Sequence, residues 1–215
     1  MGDIAASGAD CLLRCGLGRC KRGSDCGFKQ LASAGAALLT ALVLNGCTPD
    51  YDWRDIRAPG GEYWVQLPAR PALMTRPIHL QGFEVDMTMQ GARVKENAFT
   101  VALAQLPSGP AEAAGLSPEG MLAAMREQML RNIGAAPSTP AETAVVDIVD
   151  LEGRRVGKMQ LQAIGASGTG RHADMQMRAR FGQWRGQALQ IVAVGPALDA
   201  EQAEHFLDSL RLVQQ

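Results

Sequence analysis

Aromatic side chains are scarce in this chain of 215 residues, at 5%, and no excess of basic residues accompanies them. The formal net charge is -1; with residues 1–46 set aside, which carry five basic and three acidic side chains, 16 basic residues face 19 acidic ones. Such a body lacks the cationic stripe that neutralises phosphates and the rings that stack bases, which excludes nucleic acid as a partner. No cysteine follows Cys47. Residues 48–215 therefore hold no disulfide and no thiol nucleophile. No apolar run reaches the roughly 20 residues of a helical membrane span. With 47% hydrophobic and 20% charged residues, the composition also excludes a disordered tail and a collagen.

The N-terminal region has the order of an export signal. Basic residues up to Lys29 precede an apolar run from Leu31 to Leu44, and small residues then lead to Cys47. That run has the length of a signal-peptide core rather than of a membrane span. Thr48-Pro49-Asp50-Tyr51-Asp52 stops any helix at once and reads as a tether. The four earlier cysteines, Cys11, Cys15, Cys20 and Cys26, are spaced C-x3-C-x4-C-x5-C and lack the paired C-x2-C geometry of closed zinc sites.

Leu44-Asn45-Gly46-Cys47 resembles the bacterial lipoprotein signal, in which leucine stands three before the cysteine and a small residue directly before it. The resemblance implies cleavage between Gly46 and Cys47 and lipid attachment at Cys47. In that sorting pattern an aspartate after the cysteine favours the inner membrane; Thr48 stands there, which implies an outer-membrane anchor facing the periplasm. The expected organisation is a signal peptide over 1–46, a lipidated tether over 47–61 and one domain over 62–215.

Within that domain, Phe83 to Gln90 alternates apolar and polar side chains and predicts a half-buried strand. Glu62 to Pro68, Phe99 to Ala104, Ala144 to Leu151, Arg155 to Ile164, His172 to Phe181 and Gln187 to Val194 predict six more. Ser117-Pro118 supplies an N-cap and a first-turn proline, Met121, Met125, Met129 and Ile133 follow at helical spacing, and Gly134 supplies the stop. Asp199 and Gln202 open a second helix with Ala203, Phe206, Leu207 and Leu210 inward. The expected fold is α+β: a two-layer sandwich of about seven antiparallel strands, with both helices covering one face. Its order, including the closing run Phe206 to Leu212, resembles uncharacterised proteobacterial lipoproteins with a PsbP-like or DcrB-like domain. That resemblance implies a non-catalytic periplasmic accessory domain and carries over no site residue.

Catalytic signatures fail narrowly. In Gly165-Ala166-Ser167-Gly168-Thr169 the closing glycine of a nucleophile elbow is replaced by Thr169, and GASGTG has no following Lys-Ser/Thr to hold phosphate. His79, His172 and His205 form no metal-ligand pair, and His172 with Asp174 is the nearest approach to a general-base arrangement. Two M-x-M pairs, Met87/Met89 and Met175/Met177, place soft thioethers on one face of a strand, as Cu(I) requires, yet both also continue the apolar alternation. The expectation is a lipid-anchored periplasmic protein, not an enzyme, without cofactor or metal, that binds an envelope protein or other envelope component. The alternatives are a carrier of a small apolar ligand or lipid, a Cu(I)-binding protein and, last, a hydrolase using Ser167.

Overall fold

The computed structural model describes residues 50–80, 82–105 and 117–214. Ten strands form one mixed sheet: β1 (Arg54–Arg57), β2 (Tyr63–Leu67), β3 (Ala72–Leu80), β4 (Phe83–Val94), β5 (Asn97–Gln105), β6 (Glu142–Val149), β7 (Arg155–Ser167), β8 (Gln176–Trp184), β9 (Gln187–Gly195) and β10 (Arg211–Val213). Their order across the sheet is β1-β2-β10-β6-β7-β8-β9-β5-β4-β3. Among the described residues two helices, α1 (Pro118–Asn132) and α2 (Ala200–Asp208), pack on it. The α+β class and the two helices are as expected. The count of about seven strands is not, and β10 runs parallel to β6, so the sheet is mixed rather than antiparallel.

The helices begin and end where local chemistry dictates. Ser117 Oγ accepts from Gly120 N at 3.0 Å, ahead of Pro118 at the first helical position. At the other end Gly134, with φ 68°, donates to Arg131 O and Ala135 N donates to Leu130 O, a Schellman closure that turns the chain away. Asp199 Oδ1 caps α2 by accepting from Glu201 N and Gln202 N at 2.8 and 3.0 Å. Between β8 and β9, Arg185 and Gly186 both take positive φ, 52° and 73°, the two-residue turn that matches strand twist.

The helices lie on opposite faces of the sheet, not on one. Along β5, Phe99, Val101 and Leu103 pack with Phe206 and Leu207 of α2, whereas Ala102 and Ala104, between and beyond them, pack with Met121 and Met125 of α1. β9 divides likewise, with Leu189, Ile191 and Ala193 toward α2 and Ala188 and Val192 toward α1. A two-layer arrangement with both helices on one face is therefore overturned: central strands buried on both faces divide their side chains between two helices. On the α2 side the sheet curls into a half-barrel. Tyr63 of β2 reaches across to donate its hydroxyl to Gln90 Oε1 of β4 at 3.1 Å, though seven strand positions separate them. Burial, with Glu62 beside it, raises the Tyr63 pKa well above that of a free tyrosine.

The concave core centres on Phe99 and Phe206, both fully buried, with ring centroids 5.5 Å apart and planes at 90°. Tyr51 and Trp53 stack on each other and present their edges to Phe99, so ordered packing begins inside the stretch read as a tether. Lys95 Nζ donates to Asp50 Oδ2 at 2.6 Å, and that bond raises the Lys95 pKa. Arg180 of β8 pins α2 on this face. Only 8% exposed, it donates to Leu207 O at 3.0 Å, Asp208 Oδ1 at 2.5 Å and Glu204 Oε2 at 3.3 Å.

Three further expectations are corrected locally. The closing helix ends at Asp208, and Leu212, expected to continue it, lies in β10. His172 ends a short 3-10 turn, Gly170–His172, rather than sitting on a strand, and β8 starts only at Gln176. β1 and β3 occupy stretches in which no strand was expected.

Candidate functional site

On the convex face, α1 leaves a groove of about 510 Å³ against β3 and β4. Four thioethers line it together with the polar side chains of Arg76, His79, Gln128, Asn132 and Gln190: Met87 and Met89 project from one face of β4, and Met125 and Met129 stand one turn apart on α1. The sequence makes each pair by its own rule, period two on the strand and i, i+4 on the helix, and the fold sets them against each other. Met87 and Met125 are 5% and 2% exposed and form the packed floor, while Met89 and Met129 are partly open.

Polar and apolar side chains alternate along the groove. Gln190 of β9 lies in one cross-strand row with Ala102, Met89 and Met74. Arg76 and Met87 pair in the next row across β3 and β4, Ile78 and Val85 follow, and Leu80 lies beyond. Gln190 is 7% exposed and turns what remains open of its amide into the groove. Arg76 is exposed and has no ion-pair partner among the described residues. No aspartate or glutamate is among the described residues that line the groove.

Other concavities differ in this respect. A cleft of about 630 Å³ beside β1, β2 and the α2–β10 turn contains Trp64, Ser209 and Arg211. Its polar groups are engaged by the fold: Ser209 Oγ accepts from Gln66 N and donates to Phe206 O, Arg211 donates to the carbonyls of Asp208 and Leu210, and Arg57 stacks 4.5 Å from the Trp64 ring. A third hollow, of about 370 Å³, holds Arg178 and Arg180, both already paired with Glu204.

The residues singled out by sequence are scattered. Gly46 and Cys47 lie outside the described residues. Ser167 ends β7, and its hydroxyl bonds to no described residue; His172 accepts instead from Arg171 at 3.1 Å, so no nucleophile and base pair forms there. Asp174 orders no imidazole. His79 lies 3.7 Å from Glu84 on exposed strand edges, and His205 packs against Trp53 at 4.4 Å. The two M-x-M pairs do not meet. β5 and β9 separate β4 from β8, and Met177, 1% exposed, belongs to a different packed cluster. The described residues contain no group of three His, Cys, Asp or Glu side chains able to hold a metal. Among them, too, no helix is long and apolar enough to cross a membrane.

Sequence reasoning found the β4 methionines and the α1 stripe separately but not their juxtaposition. Gln190 was missed, although a lone glutamine inside the apolar run Ala-Leu-Gln-Ile-Val-Ala-Val is the signal that marks a buried polar group. Comparison of the chain with family models, with curated proteins and with solved structures returns no match.

Proposed function

We propose that this chain is a lipid-anchored periplasmic lipoprotein of the outer membrane, with a non-catalytic accessory domain that binds a component of the envelope. The observation that carries the reading is Leu44-Asn45-Gly46-Cys47 placed directly before the fold. Tyr51 and Trp53 already pack on Phe99, so four Cα-to-Cα steps, across Thr48, Pro49 and Asp50, separate the acylated cysteine from the folded body. At about 3.3–3.6 Å per residue they span at most about 14 Å, which would hold the domain against the bilayer surface. Each buried methylene contributes about 0.8 kcal/mol, and two or more acyl chains make such an anchor stable. The likeness to PsbP-like or DcrB-like lipoproteins belongs to this same reading.

Replacing Cys47 with serine in the full-length protein tests it. Acylation, read as the mass of the N-terminal peptide, and sedimentation with outer membrane are expected to be lost together. Retention of the variant in the membrane fraction would refute the anchor. In-cell crosslinking of the unaltered protein should capture an envelope protein that the variant no longer captures. A second reading, a carrier of a small apolar ligand, is favoured by the groove between α1, β3 and β4, whose volume falls within the range of small-molecule sites.

A further inference from the structure

We infer that the free edge of the sheet, β3 with the adjoining end of β4, is the face that the domain lays on the headgroup layer of an anionic bilayer. The occupant is the lipid surface in which acylated Cys47 is seated, so the inference rests on the lipoprotein reading and adds to it the orientation of the body. Contact is at headgroup depth, because an unpaired strand edge carries backbone groups that need polar partners and is not tolerated in hydrocarbon.

The point at which the chain enters the body selects this region. Asp50, three residues beyond Cys47, is ion-paired with Lys95 in the β4–β5 turn, and Arg93 stands two residues before Lys95. Three residues reach at most about 11 Å, so the end of the sheet that holds this turn is kept next to the lipid. Charge suits the same place. An open hollow of about 420 Å³ on the convex side is lined by Arg70, Arg93, Met74 and Met89 with small residues between them, and no aspartate or glutamate is among its described lining. Arg76 is exposed two residues beyond Met74, on the same face of β3. The acids at the entry, Asp50 and Asp52, are paired with Lys95 and Arg54. With exposed Glu96 of the turn counted, three arginines stand against one glutamate, a net of +2. Each arginine close to an anionic lipid surface favours contact by about fivefold.

Apolar exposure points the same way. Residues 72–77 are exposed without a break. Leu73 and Met74, 56% and 54% exposed, project from opposite faces of β3. Leu73 shares the row of Gln90 and Val101 on the α2 side, and Met74 that of Met89 and Ala102 on the α1 side. A rigid partner seated on either face reaches one of them, whereas a fluid headgroup layer closes round the edge and meets both. A second copy added strand to strand fits less well, because Pro71 and Pro77 bracket the stretch and neither can donate to a new ladder.

The test uses the full-length chain produced in a bacterium that acylates lipoproteins, purified in detergent and returned to vesicles of phosphatidylethanolamine with a minor share of phosphatidylglycerol. The mass of the N-terminal peptide reads acylation. Leu73→Cys carries a bimane, with Gln162→Cys, exposed on β7 and five strands from β3, as the reference. No cysteine follows Cys47, so in the processed chain the introduced thiol takes the label alone. Quenching by a headgroup-nitroxide lipid is expected to be at least about threefold stronger at residue 73 than at residue 162. It should fall by about half or more when phosphatidylcholine replaces phosphatidylglycerol, and equally when Arg70→Gln, Arg76→Gln and Arg93→Gln are combined. All three positions are exposed, so the melting temperature should hold and separate lost contact from lost folding. Equal quenching at the two positions of an acylated protein, or quenching at residue 73 undiminished by the three substitutions, would overturn the inference and leave the lipoprotein reading standing. A dimer in detergent whose bimane at residue 73 is shielded from a water-soluble quencher would assign the edge to a second copy and overturn it likewise. An N-terminal peptide without lipid would remove the lipoprotein reading, and the inference with it.

Discussion

Replacing Gln190 with methionine should stabilise the protein. The side chain is 7% exposed and makes no hydrogen bond to another described side chain, and its amide keeps a narrow opening to the groove, so folding strips it of most of its water. That partial desolvation costs about 1 kcal/mol, the low end of the penalty for a buried unpaired amide. Methionine has nearly the same length and volume and continues the thioether wall, so repacking should cost under about 1.5 kcal/mol. The expected net gain is about 0.5–1 kcal/mol. With a urea m-value of about 1–3 kcal/mol/M, the unfolding midpoint should rise by roughly 0.2–0.5 M, with m unchanged. Gln162→Met, on an exposed position of β7, is the control and should move stability by less than about 0.5 kcal/mol. A loss of more than about 1 kcal/mol in Gln190→Met would refute the reasoning, because it would mean that the amide is satisfied in the folded protein.

Three other outcomes follow from the packing. Arg180→Leu leaves the Leu207 carbonyl without its donor, but frees Glu204 and Asp208, 42% and 68% exposed, to turn to water. The loss should be about 2–3 kcal/mol, whereas Arg178→Leu, removing a half-exposed pair with Glu204, should cost under about 1 kcal/mol in the same urea titration. The raised pKa of Tyr63 makes stability pH-dependent in the alkaline range. Its contribution is fully present below pH 10, where the unfolded tyrosine ionises, and declines above it at up to about 1.4 kcal/mol per pH unit; Tyr63→Phe should flatten that decline in melts between pH 9 and 11.5. Truncation after Leu210 removes β10, and protease digestion should then release the β1–β2 segment while β3 to β9 stay protected; equal protection of both would refute the pairing.

Much of the fold was legible where one local rule operates. Ser117, Pro118 and Gly134 bound α1, and the alternation from Val85 to Met89 marks β4, because capping and period two depend on neighbours alone. β3 was hidden because Pro71 directly precedes it and Pro77 interrupts it; a proline is tolerated there because the strand is an edge paired only with β4. β10 was hidden because Phe206 to Leu212 keeps helical spacing, and sheet pairing, not propensity, decides its last residues. The run Ala188 to Val194 carried the sign of burial on both faces, which places the helices on opposite sides. The groove was not legible, because the register that sets β4 against α1 and two strands away from β8 is a long-range property.

β10 is three residues long and is the only bridge in the sheet between β2 and β6. Strands built among the first residues of the body thus wait for almost the last ones before they join the rest. A chain made or threaded from its N-terminus holds β1 and β2 unpaired to the sheet until residues 211–213 have emerged, so the final sheet cannot close on a nascent segment. Emergence of residues 211–213 is itself the trigger for closure.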